Sequence, residues 1–254
     1  MKRNFFLIGN WKMNKTCAET AYFFNQLSKQ LESHAFKYVG VAPPFTSLNV
    51  AGSLVNNSCV WLGAQNMGLA EKGAHTGEIS PLMLKEHGVK FVILGHSERR
   101  SIYHETDTMV EAKVEIALES GMIPIVCVGE TLEQRKAGQT LEVVSGQINR
   151  ALDGIENPSR VVLAYEPLWA IGTGKVASVE DVERVHSGIR AFLDQKCGNG
   201  VGEMLSILYG GSVNEKNIAN LAKIEGVDGF LVGGASLKIE DFVSLIRLTE
   251  EHLS

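Results

Sequence analysis

Two kinds of segment alternate along the chain. Short runs rich in β-branched and apolar residues recur with starts about 30 residues apart, which is about the size of one strand-plus-helix unit. These runs lack a clean two-residue alternation, as is typical of parallel strands that are covered on both faces. We therefore predict eight strands, over residues 5–8, 38–42, 60–64, 91–94, 123–128, 161–165, 205–209 and 229–232.

Apolar residues with helical spacing fill the stretches between these runs. Ser178 is a candidate N-cap with Asp181 three residues later, and Gly121 follows another helix as a candidate C′ residue. A long polar helical stretch is expected to break near Gly138. The predicted helices cover residues 17–32, 106–120, 131–152, a segment that opens at 178, 214–222 and 239–253.

Eight strands with helices between them favour a single (β/α)8 TIM barrel over residues 1–254. The alternative is an open, doubly wound parallel sheet, which would favour a glycine-rich fingerprint after the first strand. The chain instead has Gly9-Asn10-Trp11-Lys12 at that point, and no linker or shift in composition divides it. We therefore prefer the barrel.

The composition limits the kinds of partner and the cellular compartment that we expect for this protein. With 44% hydrophobic and 21% charged residues the chain is typical of a folded globular protein, and its net charge of −5 predicts no nucleic-acid partner. No apolar run approaches the roughly 18 residues of a spanning helix, and no signal peptide is visible. Four scattered cysteines without a C-x-x-C pair suggest a reducing compartment, so we expect a cytoplasmic protein without membrane association.

In a barrel, the active site lies where the strands end and lead into the helices. Asn10 and Lys12 follow the first strand, and His96 with Glu98 follows the fourth. A turn asparagine with a solvated lysine, and a strand-end histidine with Ser97 capping a short helix, are the alternatives without function. A helix N-terminus at His96 would favour the neutral imidazole, because positive potential disfavours the imidazolium.

Glu166 ends the apolar sixth strand. A carboxylate at such a position is costly unless it has a task or a partner, so it is either a functional group or the partner of a nearby lysine or arginine. The following segment 167–177 has a proline at one end, an apolar tip and two glycines, Gly172 and Gly174. We expect a lid that closes over the site, and the alternative is an ordinary flexible turn.

Glycine pairs follow the last two strands. Gly210-Gly211-Ser212 and Gly233-Gly234 occupy the two junctions where barrels build phosphate sites from backbone N–H groups. Each pair alone could be a tight turn, which explains their joint placement less well. The sequence shows no metal-ligand spacing, P-loop, dinucleotide fingerprint or nucleophile elbow, so no cofactor is expected.

Five motifs in this order resemble the triosephosphate isomerase family over essentially the whole chain. They are residues 9–14, 95–100, 164–175, 209–212 and 229–237. The resemblance implies that the protein interconverts D-glyceraldehyde 3-phosphate and dihydroxyacetone phosphate through an enediolate, a step of glycolysis and gluconeogenesis that needs no cofactor. The pairing of a carboxylate base with a neutral histidine is already known from this family.

The resemblance also implies a role for each residue. Glu166 would be the base and His96 the donor to the carbonyl, while Lys12 would supply positive charge, with Asn10 assisting and Glu98 positioning the lysine. The backbone N–H groups that would hold the phosphate belong to Gly172, Ser212, Gly233 and Gly234. The family is usually dimeric, which implies a homodimer in which Thr76, at the tip of loop 65–79, approaches the partner's site.

Two other functions stay open at this point. A different phosphate-binding barrel enzyme would share the glycine turns without needing His96, Glu166 and Lys12 together. A barrel kept as a binding or adhesion protein would bind phosphate compounds without turnover. Cys127, which lies near the site at the end of the fifth strand, is expected to be a packed thiol.

Overall fold

A computed structural model describes residues 3–31, 38–55, 58–170 and 177–253 of the chain. Eight parallel strands form a closed barrel in sequence order, and β8 returns to pair with β1. This closure confirms the predicted (β/α)8 barrel and excludes the open sheet. The strands are β1 Phe6–Asn10, β2 Tyr38–Ala42, β3 Trp61–Ala64, β4 Phe91–Leu94, β5 Ile123–Val128, β6 Val162–Tyr165, β7 Ser206–Tyr209 and β8 Gly229–Val232.

Helices connect the strands and bury their apolar faces against the outside of the barrel. Among the described residues, no helix is both long and apolar enough to cross a bilayer. The described ranges contain α1 Cys17–Gln30, α2 Leu48–Val55, α3 Pro81–Glu86, α4 Ser97–Tyr103, α5 Asp107–Glu119, α6 Leu132–Lys136, α7 Thr140–Ala151, α8 Val179–Cys197, α9 Ile218–Leu221 and α10 Ile239–Leu253.

Capping residues set several helix ends where the sequence predicts them. The Ser178 hydroxyl accepts a hydrogen bond from the Asp181 N–H at 3.1 Å, which confirms this N-cap. Gly138, with φ +74°, separates α6 from α7, and Gly121, with φ +76°, follows α5 in the left-handed region. Because glycine adopts this conformation without a Cβ penalty, both breaks could be predicted locally.

Two helices were not predicted, and one is shorter than predicted. Helices α2 and α3 are short, and α2 contains Gly52, whose hydrogen faces the backbone of another element: a Cβ there would lie 2.6 Å from the His87 carbonyl oxygen. This close approach requires glycine at position 52. Instead of the predicted 214–222, α9 covers only Ile218–Leu221. The Asn214 N–H donates to Asn217 Oδ1 at 2.8 Å, which makes the preceding residues a turn.

The two ends of the barrel interior differ in polarity. At the strand starts, aromatic rings pack on one another: Phe6 lies 4.7 Å from Tyr38 and 6.4 Å from Trp61 between ring centroids. Phe91, which begins β4, is also buried in this inner cluster. Apolar side chains therefore fill the end at which the strands begin, and polar side chains collect at the carboxyl ends.

Candidate active site

A pocket of about 320 Å³ opens at the carboxyl ends of the strands. It brings together side chains and glycines from five different strand ends, as the barrel rule predicts. Gly172 lies outside the described residues, and Glu98 lines an adjoining cleft of about 250 Å³ that shares several residues with the pocket. The predicted residues that line the pocket itself are Asn10, Lys12, His96, Glu166, Ser212, Gly233 and Gly234.

Glu166 follows the last residue of β6 and is 2% exposed. Its backbone N–H donates to the Val128 carbonyl at 2.7 Å, so the ladder to the end of β5 fixes its Cα. Glycines make room for the residue on both sides. A Cβ at Gly210 would lie 2.8 Å from Glu166 Cγ, and one at Gly129 would lie 1.8 Å from the Glu166 carbonyl oxygen. The carboxylate is thus held in a narrow slot that opens into the pocket.

Among the described residues, the groups that donate to the Glu166 carboxylate are uncharged. Its Oε2 accepts the Ser97 N–H at 2.9 Å, and its Oε1 lies 3.2 Å from His96 Nε2. In the described part of the chain, no lysine or arginine side chain comes within 4.0 Å of it. Within the described ranges, the alternative of a glutamate neutralised by a lysine or arginine is therefore not what the structure shows. A buried carboxylate without a cation remains available to accept a proton.

His96 is the N-cap of α4, which corrects the expectation that Ser97 would cap this helix. Its Nδ1 accepts the Glu98 backbone N–H at 3.1 Å. An Nδ1 that accepts a hydrogen bond carries no proton, so the hydrogen of the neutral ring is on Nε2. Nε2 faces Glu166 and the pocket. The backbone thus selects a neutral imidazole that donates into the site.

Lys12 is held by three contacts in a left-handed conformation with φ +52°. Its N–H donates to Asn10 Oδ1 at 3.0 Å, its carbonyl accepts Gln65 Nε2 at 2.9 Å, and its ammonium lies 2.6 Å from Glu98 Oε1. The alternative of a freely solvated lysine is therefore wrong. A non-glycine residue rarely adopts this conformation. That three contacts hold Lys12 in it indicates that the position of its ammonium group matters for function. Gln65 was not predicted; it follows β3 by one residue.

Gly233 and Gly234 form a tight turn after β8. The Gly233 carbonyl accepts both the N–H and the hydroxyl of Ser236, at 2.9 and 2.7 Å, and Trp11 Nε1 donates to the Ser236 carbonyl at 3.0 Å. The N–H groups of Gly233 and Gly234 have no acceptor among the described residues. A Cβ at Gly233 would lie 3.7 Å from Lys12 Cε. Free N–H groups beside an ammonium suit a phosphate.

Ser212 completes this side of the pocket from the end of β7. Its carbonyl accepts Asn217 Nδ2 at 2.9 Å, which fixes the turn. The Ser212 N–H has no acceptor in the parts of the chain that the structure describes. The two glycine turns therefore face one pocket, which a pair of unrelated tight turns would not do.

Glu130 belongs to this end of the barrel and was not predicted. It is fully buried, and its carboxylate accepts the Tyr165 hydroxyl at 3.1 and 3.2 Å and Trp169 Nε1 at 2.9 Å. The Leu168 N–H also donates to its carbonyl at 3.2 Å. Glu130 thus anchors the start of the predicted lid, of which residues 171–176 lie outside the described residues. The signal that found Glu166, a polar residue just after an apolar run, applies equally to Glu130.

Cys127 is buried at the end of β5 beside this site. Burial raises the pKa of its thiol well above the usual range, and the negative charge of Glu166 raises it further. The thiol is therefore protonated, which confirms the expectation of a packed residue. In the described ranges, no three His, Cys, Asp or Glu side chains converge as a metal site requires.

The fold and the pocket together define a (β/α)8-barrel enzyme with a buried carboxylate, a neutral histidine and a fixed cation at one end. Residues 5–249 match the family profile described as triosephosphate isomerase. The chain belongs to the triosephosphate isomerase family.

The chain is also similar to curated proteins over nearly their full length. The chain is 46% identical to a triosephosphate isomerase of Alkaliphilus metalliredigens, over 95% of this chain and 98% of that protein. It is 47% identical to one of Dehalococcoides mccartyi, over 96% of each. It is 46% identical to one of Treponema denticola, over 98% of this chain and all of that protein.

Proposed function

We propose that this protein interconverts D-glyceraldehyde 3-phosphate and dihydroxyacetone phosphate through an enediolate, with Glu166 as the base. The observation that carries the proposal is the pairing of Glu166 with the Nε2–H of His96 at 3.2 Å, in the pocket that also holds the glycine turns. A base and an oxygen-directed donor at this spacing are what proton transfer next to a carbonyl requires. Membership of the triosephosphate isomerase family supports the same reaction.

Glu166 moves the proton. Its carboxylate takes the proton from the carbon next to the carbonyl, the electrons of the C–H bond form the enediolate double bond, and the carbonyl oxygen becomes negative. The same carboxylic acid then returns the proton to the former carbonyl carbon, while the proton of the neighbouring hydroxyl group passes to the former carbonyl oxygen, so that the neighbouring carbon becomes the new carbonyl. Since the described residues place no lysine or arginine within 4.0 Å of the carboxylate, it can leave the Ser97 N–H and His96 without separating from a cation in that part of the chain.

His96 and Lys12 stabilise the developing oxyanion. With substrate bound, the carbonyl oxygen would replace Glu166 Oε1 as the acceptor of the His96 Nε2–H. Lys12, positioned by Asn10 and Glu98, adds a fixed positive charge. Donors fixed before the reaction need no reorganisation as the charge develops, which lowers the barrier in a site shielded from water.

The phosphate group would bind to the backbone N–H groups of Ser212, Gly233 and Gly234, with Lys12 beside them. Gly172 would contribute a further N–H from the lid. The enediolate can expel phosphate when water and loose geometry intervene, so confinement by the lid protects the intermediate. Glu130, through Trp169, would hold one end of that lid.

Turnover of glyceraldehyde 3-phosphate by the purified protein in deuterated water tests the proposal. We expect fast isomerisation with solvent deuterium at the carbon of the product that receives the returned proton. In the Glu166→Gln variant, isomerisation and deuterium incorporation should both slow by about 10²–10⁴-fold. A parent protein without turnover would overturn the reaction, while parental turnover in Glu166→Gln would keep the reaction and remove its assigned base.

We also propose a homodimer in which loop 65–79 of one protomer enters the cleft beside the partner's site. Residues 71–78 are exposed, Thr76 among them, and the cleft shares Lys12 and His96 with the pocket. Exposed apolar side chains support an interface: Met13 is 94% exposed and Tyr103 65%, and both line the cleft. Sedimentation at micromolar concentration should give twice the monomer mass, and a monomer would contradict the proposal.

We assign the protein to the cytoplasm. All four cysteines are unpaired, and Cys17 and Cys59 are exposed. Exposed free thiols persist in a reducing compartment, which supports this assignment. A fusion with a fluorescent protein should distribute with cytoplasmic markers; export from the cell would contradict it.

A further inference from the structure

We infer that Gln147, on the outer helix α7, is a positioning residue for the base and acts through Gly129. The inference rests on the proposed isomerase function, since it concerns where Glu166 is held. Gln147 does not line the pocket. Its amide reaches the junction after β5, next to the backbone of Glu166.

The Gln147 amide binds both polar groups of one residue. Its Oε1 accepts the Gly129 N–H at 2.8 Å, and its Nε2 donates to the Gly129 carbonyl at 3.2 Å. Gly129 lies just beyond β5, where the strand ladder no longer supplies partners. A single side chain therefore fixes the peptide groups on both sides of Gly129.

Gly129 in turn touches the backbone of the base. A Cβ at Gly129 would lie 1.8 Å from the Glu166 carbonyl oxygen and 2.7 Å from its carbonyl carbon. Hydrogen bonds flank this contact on both sides: the Glu166 N–H donates to the Val128 carbonyl at 2.7 Å, and the Leu168 N–H donates to the Glu130 carbonyl at 3.2 Å. A shift of Gly129 must therefore move Glu166.

We expect loss of the Gln147 hydrogen bonds to lower kcat more than substrate binding. Displacing a catalytic group by 1 Å costs about 10²-fold in rate, so a smaller displacement of Glu166 should lower kcat by about tenfold. The proposed phosphate contacts of Ser212, Gly233 and Gly234 come from the ends of β7 and β8, and Lys12 comes from β1, so inorganic phosphate should bind to these groups independently of this junction. A residue that only packed α7 against the barrel would lower stability and leave the kcat of folded protein unchanged.

The test uses Gln147→Met, which keeps the length of the side chain and removes both hydrogen bonds. We expect kcat to fall about tenfold, with KM and the inhibition constant of inorganic phosphate within about twofold of the parent values. Asn149→Leu is the matched control, because it removes from the same helix an exposed amide that accepts the Lys196 ammonium at 2.8 Å. Its kcat should equal that of the parent.

A second variant covers the case in which Gln147→Met does not fold. Gln147→Glu keeps an acceptor for the Gly129 N–H and loses the donor to the Gly129 carbonyl. Its kcat should therefore lie between that of the parent and that of Gln147→Met. Parental kcat in either folded variant, or an equal weakening of phosphate inhibition, would overturn the inference. An inactive parent would instead overturn the proposed function, so the two failures are distinguishable.

Discussion

Glu166 and Asp228 are both buried carboxylates, but they lie at opposite ends of the barrel and have different partners. Glu166 follows β6, and among the described residues its carboxylate accepts from uncharged groups, the Ser97 N–H and the neutral His96. Asp228 precedes β8 and binds two guanidinium groups, Arg190 at 2.6 Å and Arg3 at 2.7 Å, and the Ile207 N–H at 2.9 Å. The exposed fractions are similar, 2% and 5%.

The difference separates a carboxylate that reacts from one that holds the fold. Asp228 is neutralised and its oxygens are occupied, so removing its charge would leave Arg190 buried without a counter-ion. Glu166 has no counter-ion to lose in the described part of the chain, and it faces the pocket, where substrate can replace its donors. Burial alone therefore does not distinguish these two carboxylates; their partners and their access to the pocket do.

Replacing the base should give the largest effect, and we expect it to lower kcat without lowering stability. For Glu166→Gln we expect kcat to drop by about 10²–10⁴-fold, the usual contribution of a positioned acid or base. The melting temperature should stay near that of the parent, because the amide oxygen can still accept the Ser97 N–H. Thermal melts beside steady-state kinetics check this, and a large loss of stability would place Glu166 with Asp228 as a structural group.

At the end of the barrel where the strands begin, Asp228→Asn should lower the free energy of unfolding and leave kcat unchanged. We expect a loss of about 3–5 kcal/mol in the free energy of unfolding, because Arg190 keeps its charge in a buried site without its partner. Urea titration measures the loss, and kcat per folded protein should not change. Glu203→Gln is the control, since its contact with Arg3 is exposed and should contribute at most about 1 kcal/mol.

His186, near the same end, should make stability depend on pH. Burial lowers the pKa of His186 to about 4, and the nearby charge of Arg190 also lowers it. The unfolded chain takes up this proton near pH 6.5 and the folded one does not, so stability is full above pH 6.5 and falls as the pH drops towards 4.

The slope for one such proton is about 1.4 kcal/mol per pH unit. Urea titrations between pH 7.5 and 5 should show it in the parent and lose it in His186→Gln. His75→Gln, in an exposed loop, should retain it. An unchanged slope in His186→Gln would assign the pH dependence to other groups.

The smallest effects are expected from alanine substitutions at two glycines, one beside the base and one on an outer helix. In Gly210→Ala the new Cβ would lie 2.8 Å from Glu166 Cγ, so the base must shift, and we expect kcat to fall about tenfold. A Cβ at Gly146, in the middle of α7, would meet no atom within 4 Å. Gly146→Ala should leave kcat unchanged and raise the free energy of unfolding by about 0.4–1 kcal/mol. Equal kinetics for the two variants would show that the slot around Glu166 is not tight.

Most of the positions at the catalytic end could be predicted, because the barrel rule needs only the strand ends. Asn10, Lys12, His96 and Glu166 each lie within four residues of the end of a predicted strand. Their partners could not be predicted, because the contacts join distant segments. Ser97 and Glu166 are 69 positions apart, and Lys12 and Glu98 are 86 apart. The choice between a functional glutamate and a paired one depended on these contacts.

The sequence by itself determined the order of strands and helices, several caps and the glycines of the phosphate turns, since each depends on residues close together in the chain. Only the tertiary structure decided that His96 Nε2 faces Glu166, that Gln65 and Glu98 hold Lys12 in a left-handed conformation, and that no lysine or arginine among the described residues pairs with Glu166. Protonation and strain depend on which groups from other strands come within a few ångströms. Barrel closure alone brings those groups together.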